Sequence, residues 1–259
     1  MAKKNDTFGK TLGVVIGLCL VCSLVVSGAA VALKPLQERN KAEDTQRYVL
    51  EAAGLLDKID GGIQATFNRY IDARVIDFNT GEFDASIDAT TYDQRKAARD
   101  SATSSVPAND IASIKRRADK GLVYLVKDAS GELETVILPI HGYGLWSTMY
   151  AFVALEPDFN TVKAMVYYDQ GETPGLGAEV ENPRWKAQWV GKELFDADGK
   201  LAIKVVKGGA REGDIHGVDG LSGATLTSNG VQNSLDFWMG DEGYAAFLAK
   251  ARKGELNNG

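Results

Sequence analysis

The chain has few of the residues that build disulfide frameworks and metal sites. It contains two cysteines and two histidines in 259 residues. Cys19 and Cys22 both lie in one apolar run, so they cannot cross-link a soluble domain, and no second ligand pair accompanies them. We interpret them as small apolar residues of a membrane helix. Because His141 and His216 are the only histidines, a multi-histidine metal site is not expected.

The sequence also lacks an excess of positive charge. It has 29 basic and 35 acidic residues, for a net charge of −6. The balance becomes more acidic when residues 1–34, which hold four lysines and one aspartate, are set aside. Nucleic-acid binding needs a basic surface, so we expect no nucleic-acid partner.

One long uncharged segment lies near the N-terminus. Thr11–Leu33 has no charge over 23 residues, and as a helix it would extend about 34 Å, enough for the roughly 30 Å hydrocarbon core of a bilayer. A cleaved signal peptide is the alternative, with Lys3, Lys4 and Lys10 as its basic region and Ala30-Val31-Ala32 as its cleavage site. Because the apolar run exceeds a typical signal sequence, we predict an uncleaved anchor. Basic residues flank it on both sides and leave its orientation open.

The remaining pattern predicts an α+β fold, in which a largely antiparallel sheet follows the anchor and is flanked by helices. Strands are predicted at 74–78, 122–126, 134–138, 149–155, 162–168 and 201–206. Helices are predicted at 35–56, 63–71, 92–100, 183–194 and 226–239, with a mobile connection at 101–108. A last helix would be capped by Asp241 and stopped by Gly254. We divide the chain into a tail and anchor (1–34), a helical and mixed part (35–120) and a main domain (121–259).

The segment Asp219–Ser228 carries the strongest chemical signal. Its sequence, Asp-Gly-Leu-Ser-Gly-Ala-Thr-Leu-Thr-Ser, combines hydroxyl side chains with two glycines just before a predicted helix. The free N–H groups and the dipole of a helix N-terminus favour a phosphate there. The spacing matches neither the P-loop nor the dinucleotide fingerprint. The alternative is an ordinary helix cap with a glycine turn.

Two further clusters are rich in glycine. Glu172–Gly177, Glu-Thr-Pro-Gly-Leu-Gly, could lie flat against a planar ring with Leu176 on its face, or could be a plain type II turn. His141–Ser147, His-Gly-Tyr-Gly-Leu-Trp-Ser, could place Leu145 or Trp146 beside the same ring, or could simply contribute a core tryptophan.

These residues carry a family resemblance. Asp219-x-x-Ser222-Gly223-Ala224-Thr225 resembles the flavinylation motif of the FMN-binding domain family, and Glu172–Gly177 resembles that family's other flavin-site loop. In this order, roughly 45 residues apart and behind an N-terminal anchor, the two motifs are similar to those of the C subunits of Na⁺-translocating NADH:quinone oxidoreductases. The resemblance covers nearly the whole chain and makes 121–259 the FMN-binding domain. Related chains often have a histidine just before the Glu-Thr-Pro-Gly loop, where this chain has Tyr168-Asp169-Gln170.

The resemblance implies that Thr225 carries FMN as a phosphoester through its hydroxyl. Around the phosphate we expect Ser222, Gly223, Ala224 and Thr227, with Lys207 supplying positive charge. Around the ring we expect Glu172, Thr173, Gly175, Leu176, Gly177, Leu145 and Trp146. Asp219 is either recognised by the attaching enzyme or forms a turn or cap, because an aspartate repels a phosphate. No catalytic residue and no metal ligand is predicted.

The resemblance further implies an electron-transfer subunit that is inactive alone. Its complex would pass electrons from NADH to ubiquinone and pump Na⁺, with this chain crossing a bacterial inner membrane once and its large domain in the periplasm. The implied partners are the other subunits, the membrane and an FAD-dependent flavin transferase. No dinucleotide fingerprint lies in a βαβ unit here, so NADH oxidation falls to a partner.

Three alternatives remain from the sequence. The first is the equivalent subunit of the ion-pumping ferredoxin:NAD⁺ oxidoreductase, which shares both motifs. The second, of a different class, is a non-redox membrane-anchored binding or scaffold domain. A hydrolase using Ser222 and His216 is disfavoured because the chain has no Gly-x-Ser-x-Gly elbow there.

Overall fold

A computed structural model of the chain describes residues 8–128 and 130–256. They form two compact units, one extending to Thr45 and one beginning at Gln46. Helix α1, Phe8–Ala52, is long and apolar enough to cross a membrane. Its apolar side chains in the first unit are exposed, as suits a surface that faces lipid. Lys3 and Lys4, the predicted basic region of a signal peptide, lie outside the described residues.

The predicted separate helix at 35–56 is corrected by the structure. Helix α1 runs through Pro35 and ends at Ala52. A proline removes one helical N–H donor, and a long helix can continue past that single loss. The end is set by Gly54, whose φ of 72° lies in the left-handed region that favours glycine.

The second unit is an α+β domain. Its strands are β1 (Ile71–Asp77), β2 (Ser104–Ser105), β3 (Arg117–Ala118), β4 (Lys120–Lys127), β5 (Leu133–Tyr143), β6 (Thr148–Leu155), β7 (Val162–Asp169), β8 (Lys204–Val206) and β9 (Gly217–Asp219). Its helices after α1 are α2 (Ile63–Tyr70), α3 (Gln94–Ala97), α4 (Pro183–Ala187), α5 (Thr225–Trp238) and α6 (Ala245–Arg252), with 3₁₀ turns at Leu56–Lys58 and Gly177–Glu181.

The main sheet has the order β1-β4-β5-β6-β7, and every neighbouring pair is antiparallel. This confirms the predicted α+β class. Strand β1 comes from the segment 35–120 and pairs with β4, so that segment and the main domain share one sheet.

Both faces of the sheet are covered, which explains why its central strands are almost uniformly apolar. On β6, Ala151, Val153 and Leu155 enter the core on one face, while Phe152 and Ala154 enter the core on the other. Helices α5 and α6 contribute to the first core. The last turns of α1 contribute to the second. Alternation of side chains on a strand therefore fills two separate cores.

Helix α5 is fixed against the end of β5, and this contact positions the functional site. The indole Nε1 of Trp238 donates to the carbonyl of His141 at 2.6 Å. Gly142 lies directly against Ser234 of the helix. Nearer the start of α5, a Cβ on Gly230 would come within 2.5 Å of the Tyr143 carbonyl oxygen. The helix can lie this close because Gly142 and Gly230 have no side chains.

Several predicted helices are shorter than the pattern suggested. The helix predicted at 183–194 is α4, which ends at Ala187. Trp185 and Trp189 are both buried with their rings edge to face at 5.4 Å, but the backbone turns away and reaches Gly191 with φ of 76°. The helix predicted at 92–100 is only the single turn α3.

The predicted Asp241 cap is wrong, whereas the stop at Gly254 is confirmed. Helix α6 begins after Tyr244, and no side chain caps it. The turn before it is held by the Tyr244 N–H, which donates to the Trp238 carbonyl at 2.6 Å. The strand predicted at 201–206 shortens to β8, which pairs in parallel with the unpredicted β9. The segment 101–108 contains the short strand β2.

Candidate functional site

The start of α5 presents an exposed threonine at an uncapped helix end. Thr225 is the first helical residue, and Ala224 before it makes no side-chain capping bond. The loop is held from behind, since Ser228 Oγ accepts from the Leu221 N–H at 2.9 Å and donates to the Ala224 carbonyl at 3.1 Å. The first N–H groups of a helix have no intrahelical partner, so they are available to an anion.

The two sequence motifs meet in space. The Leu176 N–H donates to the Thr173 carbonyl at 3.1 Å, and Gly175 has φ of 75°, which together form the predicted turn. The Leu176 side chain then reaches Gly223 of the second motif, where a Cβ would lie 3.0 Å from Leu176 Cδ2. Gly223 itself has φ of 74°. A glycine is therefore favoured at 223 by both backbone conformation and close contact.

Glu172 joins three segments through one buried carboxylate. Its Oε1 accepts the N–H groups of Trp146 at 2.9 Å and Ser147 at 3.1 Å. The Leu145 N–H lies 3.1 Å from Oε2, and the Thr227 hydroxyl donates to Oε2 at 2.7 Å. Burial alone would raise the pKa of this carboxyl, but the hydrogen bonds outweigh burial and hold the pKa below its ordinary value.

This arrangement separates three of the predicted cofactor contacts from the surface. Thr227 is fully buried and Glu172 is 5% exposed. Gly177 is packed against both, since a Cβ there would lie 2.6 Å from Thr227 Oγ1 and 2.8 Å from Glu172 Oε2. All three therefore lie beneath the exposed site, with their polar atoms directed at one another.

Above them lies a patch of exposed apolar side chains. Leu145 is 40% exposed, Trp146 65%, Leu176 43% and Leu226 58%. Each is tied to the same framework, because Leu145 and Trp146 donate backbone bonds to Glu172, Leu176 contacts Gly223, and Leu226 follows Thr225. We call these four residues the apolar collar. Sequence reasoning missed Leu226, although its place between two threonines of a motif was a usable signal.

Lys207 follows β8 at the end where the motif loop leaves β9. Val206 pairs with Asp219, and its carbonyl accepts the Gly220 N–H at 2.8 Å. Lys207 is exposed, and no ion pair involves it in residues 8–128 and 130–256. The structure thus places its charge at the correct end of β8 but shows no contact with Thr225.

Asp219 forms turn contacts, as one of its two interpretations predicted. Its carboxylate accepts the Ala210 N–H at 2.7 Å, and its carbonyl accepts the Trp185 indole N–H at 2.7 Å. A groove of about 350 Å³ opens beside it, with Gly175 and Ser222 in its wall. Recognition by an attaching enzyme stays a prediction.

Neither histidine joins a nucleophile. The Nδ1 of His216 lies 2.7 Å from the Glu193 carbonyl, which separates the ring from the proposed role beside Ser222. His141 is stacked on Tyr150 with ring centroids 5.2 Å apart. Burial, with a contribution from the charge of Arg95, lowers the pKa of His141 to about 4, so the ring is neutral at ordinary pH.

The position before the Glu-Thr-Pro-Gly loop, where related chains often carry histidine, has structural partners here. Tyr168 stacks on Phe152 at 4.4 Å, and Asp169 pairs with Arg95 at 2.8 Å. The Gln170 side chain accepts the Glu172 N–H at 2.6 Å. These residues therefore support the loop from the side of the sheet.

Comparison with known proteins supports this site. A family model described as an FMN-binding domain matches residues 144–240, which include the collar, both motifs and Lys207. An FMN has a phosphate and a planar ring, and the uncapped helix start beside an apolar collar fits both parts.

Close relatives cover the whole chain. The C subunit of the Na(+)-translocating NADH-quinone reductase of Vibrio alginolyticus is 57% identical, covering 99% of this chain and 100% of the relative. The proteins of the same name from Yersinia pestis and Neisseria meningitidis serogroup A are 53% and 50% identical, covering 99% and 97% of this chain and 98% of each relative.

Solved structures agree with the fold. The crystal structure of Shewanella oneidensis NqrC has a TM-score of 0.78 at 45% identity and covers 83% of this chain and 99% of that chain. The crystal structure of the protein of the same name as these relatives from Parabacteroides distasonis has a TM-score of 0.64 at 28% identity, covering 83% and 96%. The chain therefore belongs to the family of C subunits of the Na⁺-translocating NADH-quinone reductase, an oxidoreductase complex, and contains that family's FMN-binding domain.

Proposed function

We propose that this protein carries FMN covalently, as a phosphoester of Thr225, and relays electrons within its membrane complex. The observation that carries the proposal is the placement of an exposed threonine hydroxyl at the uncapped N-terminus of α5, directly beside the apolar collar. The phosphate would be held by helix N–H groups, and the ring would cover apolar surface that water otherwise contacts.

The predicted contacts divide into two tiers. Ser222, Gly223 and Ala224 form the phosphate side with Thr225, while Thr173, Gly175 and the collar form the ring side. Glu172, Gly177 and Thr227 support both sides from beneath, because their polar atoms are already engaged. Lys207 contributes positive charge from the end of β8, which offsets the negative charge of the phosphate.

Covalent attachment suits an electron relay. The flavin ring supplies the redox chemistry, and the chain supplies a fixed position for it, so the carrier cannot be lost between turnovers. We assign the chain to a Na⁺-pumping NADH:ubiquinone reductase rather than to a ferredoxin:NAD⁺ complex, because the relatives named above are all C subunits of the former. Helix α1 would cross the inner membrane once, with the large domain in the periplasm.

Attachment requires a separate enzyme. A threonine hydroxyl is a weak nucleophile at neutral pH, and no carboxylate or imidazole hydrogen-bonds to Thr225 within the part of the chain that the structure describes. A flavin transferase would use FAD as donor. Thr225 Oγ1 would form a bond to the FMN phosphorus, the bond to the AMP phosphate would break, AMP would leave, and a base on the transferase would take the hydroxyl proton.

We expect the full chain to be colourless when it is produced without the transferase. With the transferase, the washed membrane fraction should contain a band that remains fluorescent on a denaturing gel, with the mass of one added FMN. The transferase expressed with an empty vector is the control. A chain from its native host that loses all its flavin on denaturation would contradict covalent attachment.

We expect Leu176→Asp to change the flavin without removing it. The substitution puts a charge where the collar should face the ring, whereas the bond depends on Thr225 alone. Visible circular dichroism and the reduction titration should change, while the mass shift should remain. Val190→Asp is the control, since Val190 is 60% exposed but lies outside both motifs. Spectra identical to those of the control would place the ring elsewhere.

A further inference from the structure

Glu172 has a bonding pattern that a simple turn residue does not need. Its carboxylate is buried and engages three consecutive backbone N–H groups of residues 145–147 together with the hydroxyl of Thr227. Across residues 8–128 and 130–256, it has no ion pair with a lysine or arginine. Its charge is therefore balanced by hydrogen bonds alone, and these charge-assisted bonds are stronger than bonds between neutral groups.

The donors come from segments far apart in the sequence. Residues 145–147 connect β5 to β6, whereas Thr227 lies in the first turn of α5, 55 positions after Glu172. Two glycines allow the convergence, since a Cβ on Gly144 would lie 2.7 Å from Glu172 Oε1 and a Cβ on Gly177 would lie 2.8 Å from Glu172 Oε2. The framework therefore has little free space around the carboxylate.

We propose that Glu172 is a positioning residue whose buried carboxylate fixes the distance between the Thr225 anchor and the apolar collar before any flavin is attached. This inference rests on the function proposed above. One oxygen orders the loop that carries Leu145 and Trp146, and the other holds the helix turn that begins with Thr225. A site ordered in advance does not lose affinity or rate to the ordering of its loops.

The same carboxylate also sets the charge beneath the ring. A buried negative charge disfavours the addition of further negative charge nearby. Glu172 should therefore make the flavin harder to reduce, in addition to fixing its position. A residue that only stabilised the fold would not affect the midpoint potential in this way.

A matched control exists at the other end of β6. Asp158 accepts the N–H groups of Asn160 and Thr161 and the Thr161 hydroxyl, a donor set similar to that of Glu172. It caps the turn between β6 and β7, about 24 Å along the strand from the loop at 145–147. Asp158→Asn therefore tests the loss of a loop-capping carboxylate without touching the site, although Asp158 is exposed.

The first measurement is amide hydrogen exchange on the full chain without flavin. In Glu172→Gln, the amides of residues 145–147 should exchange about tenfold faster, because the bonds to a charged acceptor are lost. Amides 160–161 should not change. In Asp158→Asn the pattern should reverse. Unchanged protection of residues 145–147 in Glu172→Gln would overturn the proposal.

The second measurement uses the transferase and FAD. We expect the rate of flavin attachment in Glu172→Gln to fall roughly tenfold or more, since small misplacements of reacting groups are costly. Its visible dichroism should change, and its midpoint potential should become more positive. Thr227→Val keeps the bonds to residues 145–147 and frees only the helix. It should leave exchange at 145–147 unchanged but slow attachment.

These outcomes separate the two proposals. If the unaltered chain gains no flavin, the proposed function fails, and the exchange result alone then decides whether Glu172 orders the loop. If the unaltered chain is flavinylated and Glu172→Gln matches Asp158→Asn in rate, dichroism and potential, the positioning role is refuted.

Discussion

The Thr225→Ala variant should contain no covalent flavin at all. Alanine has no hydroxyl, so no phosphoester can form, while an exposed first helical residue tolerates the change with little effect on folding. The variant, produced with the transferase, should have the mass of the unmodified chain and show no fluorescent band. Thr225→Val should behave in the same way. Thr225→Ser should retain part of the label, because its hydroxyl survives without the methyl group that restricts the rotamer.

Ser222→Ala is the matched control for this experiment. Ser222 is exposed in the same loop and also carries a hydroxyl, yet its removal should leave the attachment point intact. Peptide mapping should find the added mass on the peptide that contains Thr225. A label that persists in Thr225→Ala, or that maps to Ser222 or Thr227, would refute the assignment.

The second large effect is expected from Gly230→Ala in the interior of α5. Alanine normally favours a helix over glycine by about 1 kcal/mol. Here the new Cβ would lie 2.5 Å from the Tyr143 carbonyl oxygen and 2.9 Å from Gly144 Cα. Both contacts are with backbone, which cannot move aside as a flexible side chain can. We therefore expect a net destabilisation of about 1–3 kcal/mol in denaturant unfolding of the full chain.

The same substitution should also alter the flavin. Moving α5 away from residues 143–144 separates Thr225 from the loop that bears Leu145 and Trp146, so the visible dichroism should weaken. Asn229→Ala is the control, because Asn229 is exposed on the same helix and should change stability by no more than about 0.5 kcal/mol. If Gly230→Ala proved as stable as Asn229→Ala, the close packing of α5 on this loop would be disproved.

The fold could be predicted where a local pattern decides it. Strands β4 to β7 follow from apolar runs bounded by turns, and helix α5 follows from its apolar spacing after the motif. The helix predicted at 183–194 was too long because Trp185 and Trp189 have helical spacing. Both are buried in the core, but the backbone leaves the helix after Ala187 and no periodicity reveals that turn.

The Asp241 cap failed for a related reason. Aspartate before an apolar run is a common helix start, yet a contact distant in pattern overrides it here. The Tyr244 N–H bonds to the Trp238 carbonyl, and the Tyr244 hydroxyl donates to the carbonyls of Leu122 and Pro139, each at 3.0 Å. Packing of the turn against β4 and β5 therefore delays the helix until Ala245.

The sequence by itself determined the apolar anchor segment, the antiparallel sheet and the two motifs, because each depends on neighbouring residues. Only the tertiary structure decided how the motif residues divide their work. Thr225 and Thr227 are two positions apart with similar chemistry, yet one is exposed at the helix start and the other is buried against Glu172. Successive residues of a helix point in different directions, and which direction meets solvent depends on the segment that packs against it.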